Sequence, residues 1–140
     1  GREPLVRPGP GGGGAGWLLL DGLSFGFRFG IATDADLGGA VRFLTIPSYV
    51  PGLTPLSGLQ PPVRAYVLGQ PAAGRFVGLV VELLQLTVPA YRSEGKTRLT
   101  VALGCTGGYH RSIALAEELA ERLRSLGGVS VGVFHRELER

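Results

Sequence analysis

Cys105-Thr106-Gly107-Gly108-Tyr109-His110-Arg111-Ser112 packs a thiol, two hydroxyls, two glycines, an imidazole and a guanidinium into one short stretch. Two chemistries call for such a set. In the first, the glycines let backbone N–H groups turn toward one point, and a following helix adds unpaired donors and the positive end of its dipole. That arrangement cradles a phosphate. Arg111 would hold two phosphate oxygens in its planar fork, with Thr106 and Ser112 offering hydroxyls at the rim and His110 a further donor. In the second, Cys105 followed by five residues and Arg111-Ser112 is the spacing of cysteine-dependent phosphatases. There the thiolate attacks phosphorus, the arginine clamps the equatorial oxygens, Ser112 assists the leaving thiolate and Asp34 or Asp36 acts as general acid. Against it, Gly104 precedes Cys105 where such enzymes place a histidine, and no motif positions the acid. The plainest alternative is a Gly-Gly turn that lets a helix pack back on a sheet, with Arg111 solvated and Cys105 a small apolar group.

The flanking segments are those a phosphate loop needs. Arg98-Leu99-Thr100-Val101-Ala102-Leu103 is a strand by composition and length. Ser112 to Leu126 reads as a helix with Ile113, Ala116, Leu119, Ala120, Leu123 and Leu126 on one face and Gly127 at its stop. Upstream, 17–20 and 23–29 are extended candidates, and Val41-Arg42-Phe43-Leu44 is a short strand before a proline-rich stretch. Helices follow from about Val63 to Leu68 and from about Ala72 to Val88, and Val129 to Phe134 is a last strand. The apolar run from Phe76 to Ala90, broken by Glu82 and Gln85, is short for a membrane span and reads as a buried core helix ending near Pro89. It is equally the segment that would pair two copies of a structural dimerisation module. This alternation predicts an α/β fold, a three-layer α/β/α domain with a small, mainly parallel sheet, whose ligands lie at the carboxyl ends of the strands. Arg28, Asp34, Asp36 and Arg42 would join the loop there. The aspartates are equally readable as turn or cap residues, whereas a half-buried Arg42 would need an anionic partner. His135 either reaches the same pocket or is an ordinary surface histidine.

At 140 residues and 44% hydrophobic content the chain suits one domain with a real core. Residues 1–16 read as a disordered Gly/Pro-rich linker, and 17–140 as the folded unit. The glycine run 11–14 lacks the Gly-Lys-Ser/Thr of a nucleotide P-loop. One cysteine excludes an internal disulfide, and no Cys/His cluster has ligand spacing, so neither metal nor cofactor is expected. A reducing, cytoplasmic setting follows as the expectation, with no signal segment in sight and no membrane partner. The net charge of +3 arises from 13 arginines and one lysine interleaved with acids, so no basic block announces nucleic acid. A chain without methionine is expected to be a piece of a longer protein.

Ser24-Phe25-Gly26-Phe27-Arg28-Phe29-Gly30, Asp34-Ala35-Asp36, Val41-Arg42-Phe43-Leu44, the Pro47 turn, Ser57-Gly58-Leu59, Leu103-Gly104-Cys105-Thr106-Gly107-Gly108-Tyr109-His110-Arg111-Ser112 and the closing His135-Arg136 occur in consistent order over about 23–140. In this the chain resembles the C-terminal domain of the RNase adapter protein RapZ family. The resemblance implies a non-catalytic sensor and adapter that binds glucosamine-6-phosphate and small regulatory RNA, forms homo-oligomers and presents RNA to a ribonuclease. Family members carry an N-terminal P-loop domain that this sequence does not contain. Position by position, Cys105, Thr106, Gly107, Gly108, His110, Arg111 and Ser112 match the motif, Asp34 and Asp36 match its Asp-x-Asp, and Arg28 replaces a frequent lysine. Tyr109 stands at a variable position and belongs to the rim. The other half departs: Ala40 and Gln60 stand where the family often has Asp, Thr45-Ile46-Pro47 replaces Pro-Asn-Pro, and Ser48 occupies a position that can be histidine. The basic tail of RNA-binding members is replaced by Glu137-Leu138-Glu139-Arg140, which reduces the charge available to an RNA backbone.

Overall fold

A computed structural model describes residues 17–47 and 50–139. The proposed linker at 1–16 and the Ser48 position lie outside the described residues. Four strands, β1 (Leu18–Gly26), β2 (Leu37–Ala40), β3 (Arg98–Cys105) and β4 (Val129–His135), form one sheet in the order β2-β3-β1-β4. Every pairing is parallel, with Leu23 opposite Ala102 and Phe134, and Gly39 opposite Leu103. The helices are α1 (Pro61–Leu68), α2 (Pro71–Ser93) and α3 (Arg111–Leu123). The protein is thus an α/β domain with a small parallel sheet.

The core follows from the period of two along the strands. Leu18 and Leu20 of β1, Leu99, Val101, Leu103 and Cys105 of β3, and Val129 and Val131 of β4 enter one apolar cluster with Ala116, Leu119, Ala120 and Leu123 of α3. Each fully buried leucine or valine contributes roughly 1.5–3 kcal/mol. Helix α3 lies against β1, β3 and β4, and α1 and α2 pack on α3. The loop that α3 begins is therefore held on a buried scaffold.

Several boundaries differ from the sequence reading. The two extended pieces at 17–20 and 23–29 are one strand followed by a 3-10 turn at Phe27–Phe29. Gly22 does not interrupt it, because β1 is flanked on both sides by parallel partners. The strand expected at Val41–Leu44 is a turn. Val41 and Leu44 are buried while Arg42 and Phe43 face solvent, a spacing of three rather than two. The true β2 is Leu-Gly-Gly-Ala, which has almost no strand propensity and forms because β3 offers a paired edge.

Helix α2 does not stop near Pro89 but runs through it to Ser93. Pro89 and Gln85, whose carbonyl loses its N–H partner, are both exposed, so water can take the bond. Nor is α2 buried all round. Ala73, Val77, Leu84 and Val88 enter the core, while Leu79, Leu83 and Leu86 are 51%, 42% and 74% exposed. By length and composition alone it would suffice to cross a bilayer, yet its inner stripe belongs to the same apolar core as the strands. Helix α3 starts at Arg111 and ends at Leu123, and the chain turns back at Gly128, whose φ of 78° suits a residue without Cβ.

Candidate anion-binding site

Parallel strands send all their carboxyl ends to one edge. β1 and β3 are the two central strands, so the chain segments that leave them meet at the middle of that edge. A cleft of about 500 Å³ opens there, lined by Arg28 and Phe29 after β1, Ile46 after β2, Cys105, Thr106, Gly107, Tyr109, His110 and Arg111 around the β3–α3 loop, and Glu137 after β4.

Close backbone approach sets the loop. Gly108 has φ 72°, and a side chain on it would overlap the Gly26 amide and the Glu137 methylene. The loop crosses the end of β1 in direct contact: a Cβ on Gly26 would meet the Gly107 and Gly108 backbone, and the Arg28 N–H donates to the Thr106 carbonyl at 3.1 Å. On the far side the Gly58 N–H donates to the Tyr109 carbonyl at 2.8 Å. The Tyr109 hydroxyl donates to the Pro55 carbonyl at 3.2 Å, and His110 Nε2–H donates to the Thr54 carbonyl at 2.9 Å. That last bond fixes the proton on Nε2.

Arg111 is not solvated; it is 7% exposed. Its Nη1 donates to the carbonyls of Arg42 and Leu44, both at 3.0 Å, and so holds the turn after β2. Its buried Nε has no hydrogen-bond partner. A guanidinium cannot shed its proton, so this N–H stays an unpaired donor in a residue that lines the cleft.

Beneath the loop, the Cys105 thiol donates to the Ser112 hydroxyl at 3.2 Å. Burial pushes the thiol up, but the Ser112 hydroxyl, the Ser112 and Gly108 backbone N–H groups and the Arg111 charge together outweigh it and lower it from the ordinary value. The loop therefore favours a negative charge at its centre. Ser112, expected at the rim, is fully buried below Cys105, and Gly108 contributes backbone rather than cleft surface.

The remaining pocket candidates divide. Arg28 reaches the cleft, its guanidinium 5.2 Å from the Phe29 ring centroid. Arg42 does not line it: its side chain is exposed, 4.4 Å over the Phe27 ring, and what it gives the site is its carbonyl. Asp36 sits at the opposite end of the sheet, where Oδ2 accepts the Thr100 N–H at 2.8 Å and Oδ1 pairs with Lys96 at 3.0 Å. Thr100 is five positions before Cys105, about 16 Å along a strand. Asp34 lies in an exposed turn outside the cleft lining. His135 is neither pocket nor surface. Its ring bridges Ser24 Oγ and Glu117, each at 2.6 Å, between β1 and α3. Glu117 is held below its ordinary value by that hydrogen bond; burial opposes the shift, and the charges of His135, Arg64 and Arg124 assist it.

Three lining residues escaped the sequence reading: Phe29, Ile46 and Glu137. Glu137 Oε2 accepts the Gly26 N–H at 2.8 Å and both Arg136 Nε and Nη2, at 2.9 and 2.7 Å. Arg136 in turn donates to the Gly26 and Gly30 carbonyls, at 3.3 and 2.6 Å. An Arg-Glu pair directly after a final parallel strand was the available signal, though it read as part of an acidic tail. Among the described residues no group of three or more His, Cys, Asp or Glu is placed to hold a metal.

Fold and loop together define a small parallel α/β domain whose carboxyl edge carries a cleft lined by the β3–α3 loop. The model of the RapZ C-terminal domain matches residues 18–139, and the chain belongs to that family. A nucleotide-binding protein of Trichlorobacter lovleyi is 45% identical over 139 residues, which is 99% of this chain and 48% of the relative. One of Mycobacterium avium is 48% identical over 142 residues, covering 99% of this chain and 47% of that one. Another, from Anaeromyxobacter dehalogenans, is 53% identical over 118 residues, 84% of this chain and 40% of the other. The chain spans about half the length of these curated relatives.

Proposed function

We propose that this domain is a non-catalytic sensor and adapter that captures a phosphorylated small molecule of the glucosamine-6-phosphate kind in the Cys105–Ser112 loop. The observation that carries the reading is the buried, unpartnered Nε of Arg111, in a residue that lines the cleft together with Arg28. A phosphate oxygen supplies the acceptor that Nε lacks, and a charge-assisted bond of this kind contributes about 1.5–3 kcal/mol. Glu137 also lines the cleft, where its carboxylate is held by the Gly26 N–H and by Arg136. The nucleotide in the relatives' names is a second phosphorylated ligand that the loop must be tested against.

RNA presentation to a ribonuclease, self-association and a cytoplasmic setting belong to the same proposal. For RNA, Arg136 is already engaged by Glu137, so contacts would come from other arginines. For self-association, the exposed Leu79, Leu83 and Leu86 of α2 form the available apolar stripe.

Isothermal calorimetry with glucosamine-6-phosphate, glucose-6-phosphate, inorganic phosphate and a nucleoside triphosphate tests the reading. Arg28→Ala, at an exposed position, leaves the fold intact and weakens binding roughly ten-fold; Arg111→Met weakens it 10- to 100-fold. Absence of binding by all four, or affinity indifferent to both arginines, removes the proposal.

One observation favours a second reading. The Cys105–Ser112 bond and lowered thiol suit a phosphatase nucleophile. A general acid is harder to find, since His110 and Tyr109 are bonded to carbonyls and Asp34 and Asp36 lie outside the cleft lining. Hydrolysis of p-nitrophenyl phosphate that vanishes in Cys105→Ser would move this reading ahead.

A further inference from the structure

The groups around Cys105 bear on its sulfur as well as on a ligand. Sγ bonds to Ser112 Oγ, the backbone N–H groups of Gly108 and Ser112 favour its ionised form, and the Arg111 charge adds to them. Cys105 lines the same cleft as Arg111, whose Nε is buried without a partner. Residue 105 is itself 2% exposed, so the route to sulfur is the cleft, and small reagents are the ones that fit it. The thiol has the electropositive surroundings that select cysteines for oxidation, and the cleft supplies the access that its burial otherwise denies.

We propose that Cys105 is a modification site for hydroperoxides, activated by the same groups that receive the anion. The thiolate attacks one peroxide oxygen; an S–O bond forms, the O–O bond breaks, and the departing hydroxide or alkoxide takes up a proton equivalent to the one the thiol released to solvent on ionising. Sulfur loses two electrons and the peroxide gains two. The new oxygen lies in the anion-receiving loop, where it offers Arg111 Nε an acceptor and occupies space a phosphate needs. Cys105 is the sole cysteine of these 140 residues, so no disulfide within them can resolve the sulfenic acid. An external thiol must condense with it, releasing water, and a second thiol must reduce the mixed disulfide. Oxidation thus excludes the ligand, and a bound ligand shields the thiol; this coupling rests on the proposed phosphate site, whereas the reactivity does not.

The test treats the chain with hydrogen peroxide at pH 7, traps the sulfenic acid with dimedone and follows labelling by mass spectrometry. Free cysteine is the reference, and Cys105→Ser is the control for label position. Labelling at Cys105 is expected to run at least roughly ten-fold faster than on free cysteine, to slow in Ser112→Ala of unchanged circular dichroism, and to slow again with saturating inorganic phosphate. Fast, Ser112-dependent labelling that ignores phosphate, with no phosphate heat by calorimetry, supports the modification site and overturns the proposed ligand function. Labelling no faster than free cysteine, or indifferent to Ser112→Ala, while phosphate binds by calorimetry, overturns the modification site and leaves the ligand function standing.

Discussion

Toward the amino end of the sheet, Lys96 closes on Asp36 and Arg98 on Asp21; at the carboxyl end, Arg111 spends one nitrogen on two carbonyls and leaves Nε bare. Each region contains one buried polar atom without a partner, Asp21 Oδ1 in the first and Arg111 Nε in the second. They are not equivalent. Burial raises Asp21 above the ordinary carboxylate value, opposed by the hydrogen bond and charge of Arg98, so a proton can relieve it. Arginine has no such escape at any physiological pH. One orphan can be resolved by titration, whereas the other needs an acceptor, and it belongs to a residue that lines the cleft.

The contrast can be broken most forcefully at Gly108. Gly108→Ala would force a Cβ at φ 72° into the Gly26 amide and Glu137, costing on the order of 3 kcal/mol. Urea denaturation should show that loss together with loss of phosphate affinity, since loop and β1 terminus are one contact. If the variant binds phosphate normally, the loop geometry is not what makes the site.

Arg98→Met asks whether the amino end is separable. It strands the Asp21 carboxyl, but Arg98 is 40% exposed and the pair is partly screened, so the cost is about 1–2 kcal/mol at pH 7. Ligand affinity should not change. Because Asp21 is raised, its charged form disfavours the fold above that raised value, and the penalty fades as pH falls and the group protonates. The deficit of the variant should therefore shrink toward acid pH in denaturation series. A deficit that grows toward acid, or a lost ligand, would end the separation of the two regions.

Glu117→Gln is the mildest test, at the relay joining α3 to β1 and β4. Glu117 is depressed below 4.5, so its carboxylate contributes stability that is fully present above that value and is lost as pH falls through the lower folded value. The variant should be less stable than the parent by roughly 1 kcal/mol near neutrality, with the two curves converging below the ordinary glutamate range. Parallel curves would show that Glu117 acts by packing alone.

Much of this molecule was legible in residue order. Local pattern determined β3, the core of α3 and the loop between them, because an aliphatic run, an i, i+3, i+4 stripe and two adjacent glycines each act within a few residues. The family resemblance rested chiefly on the same stretch, with shorter matching segments spread from Ser24 to Arg136. What sequence could not decide was partnership at a distance. Leu37–Ala40 is a strand because β3 pairs with it, not because Gly-Gly favours extension. Pro89 stays inside α2 because the bond it forfeits faces solvent. Asp36 and Arg42 have residue types suited to a ligand, yet parallel register carries the first to the far end of the sheet and a turn aims the second outward over Phe27. Glu137 has the composition of a tail, and the carboxyl end of β4 brings it to the cleft. Residue chemistry determined that an anion site was possible; which charges face it was decided by the pairing of strands, whose partners lie up to 111 residues apart.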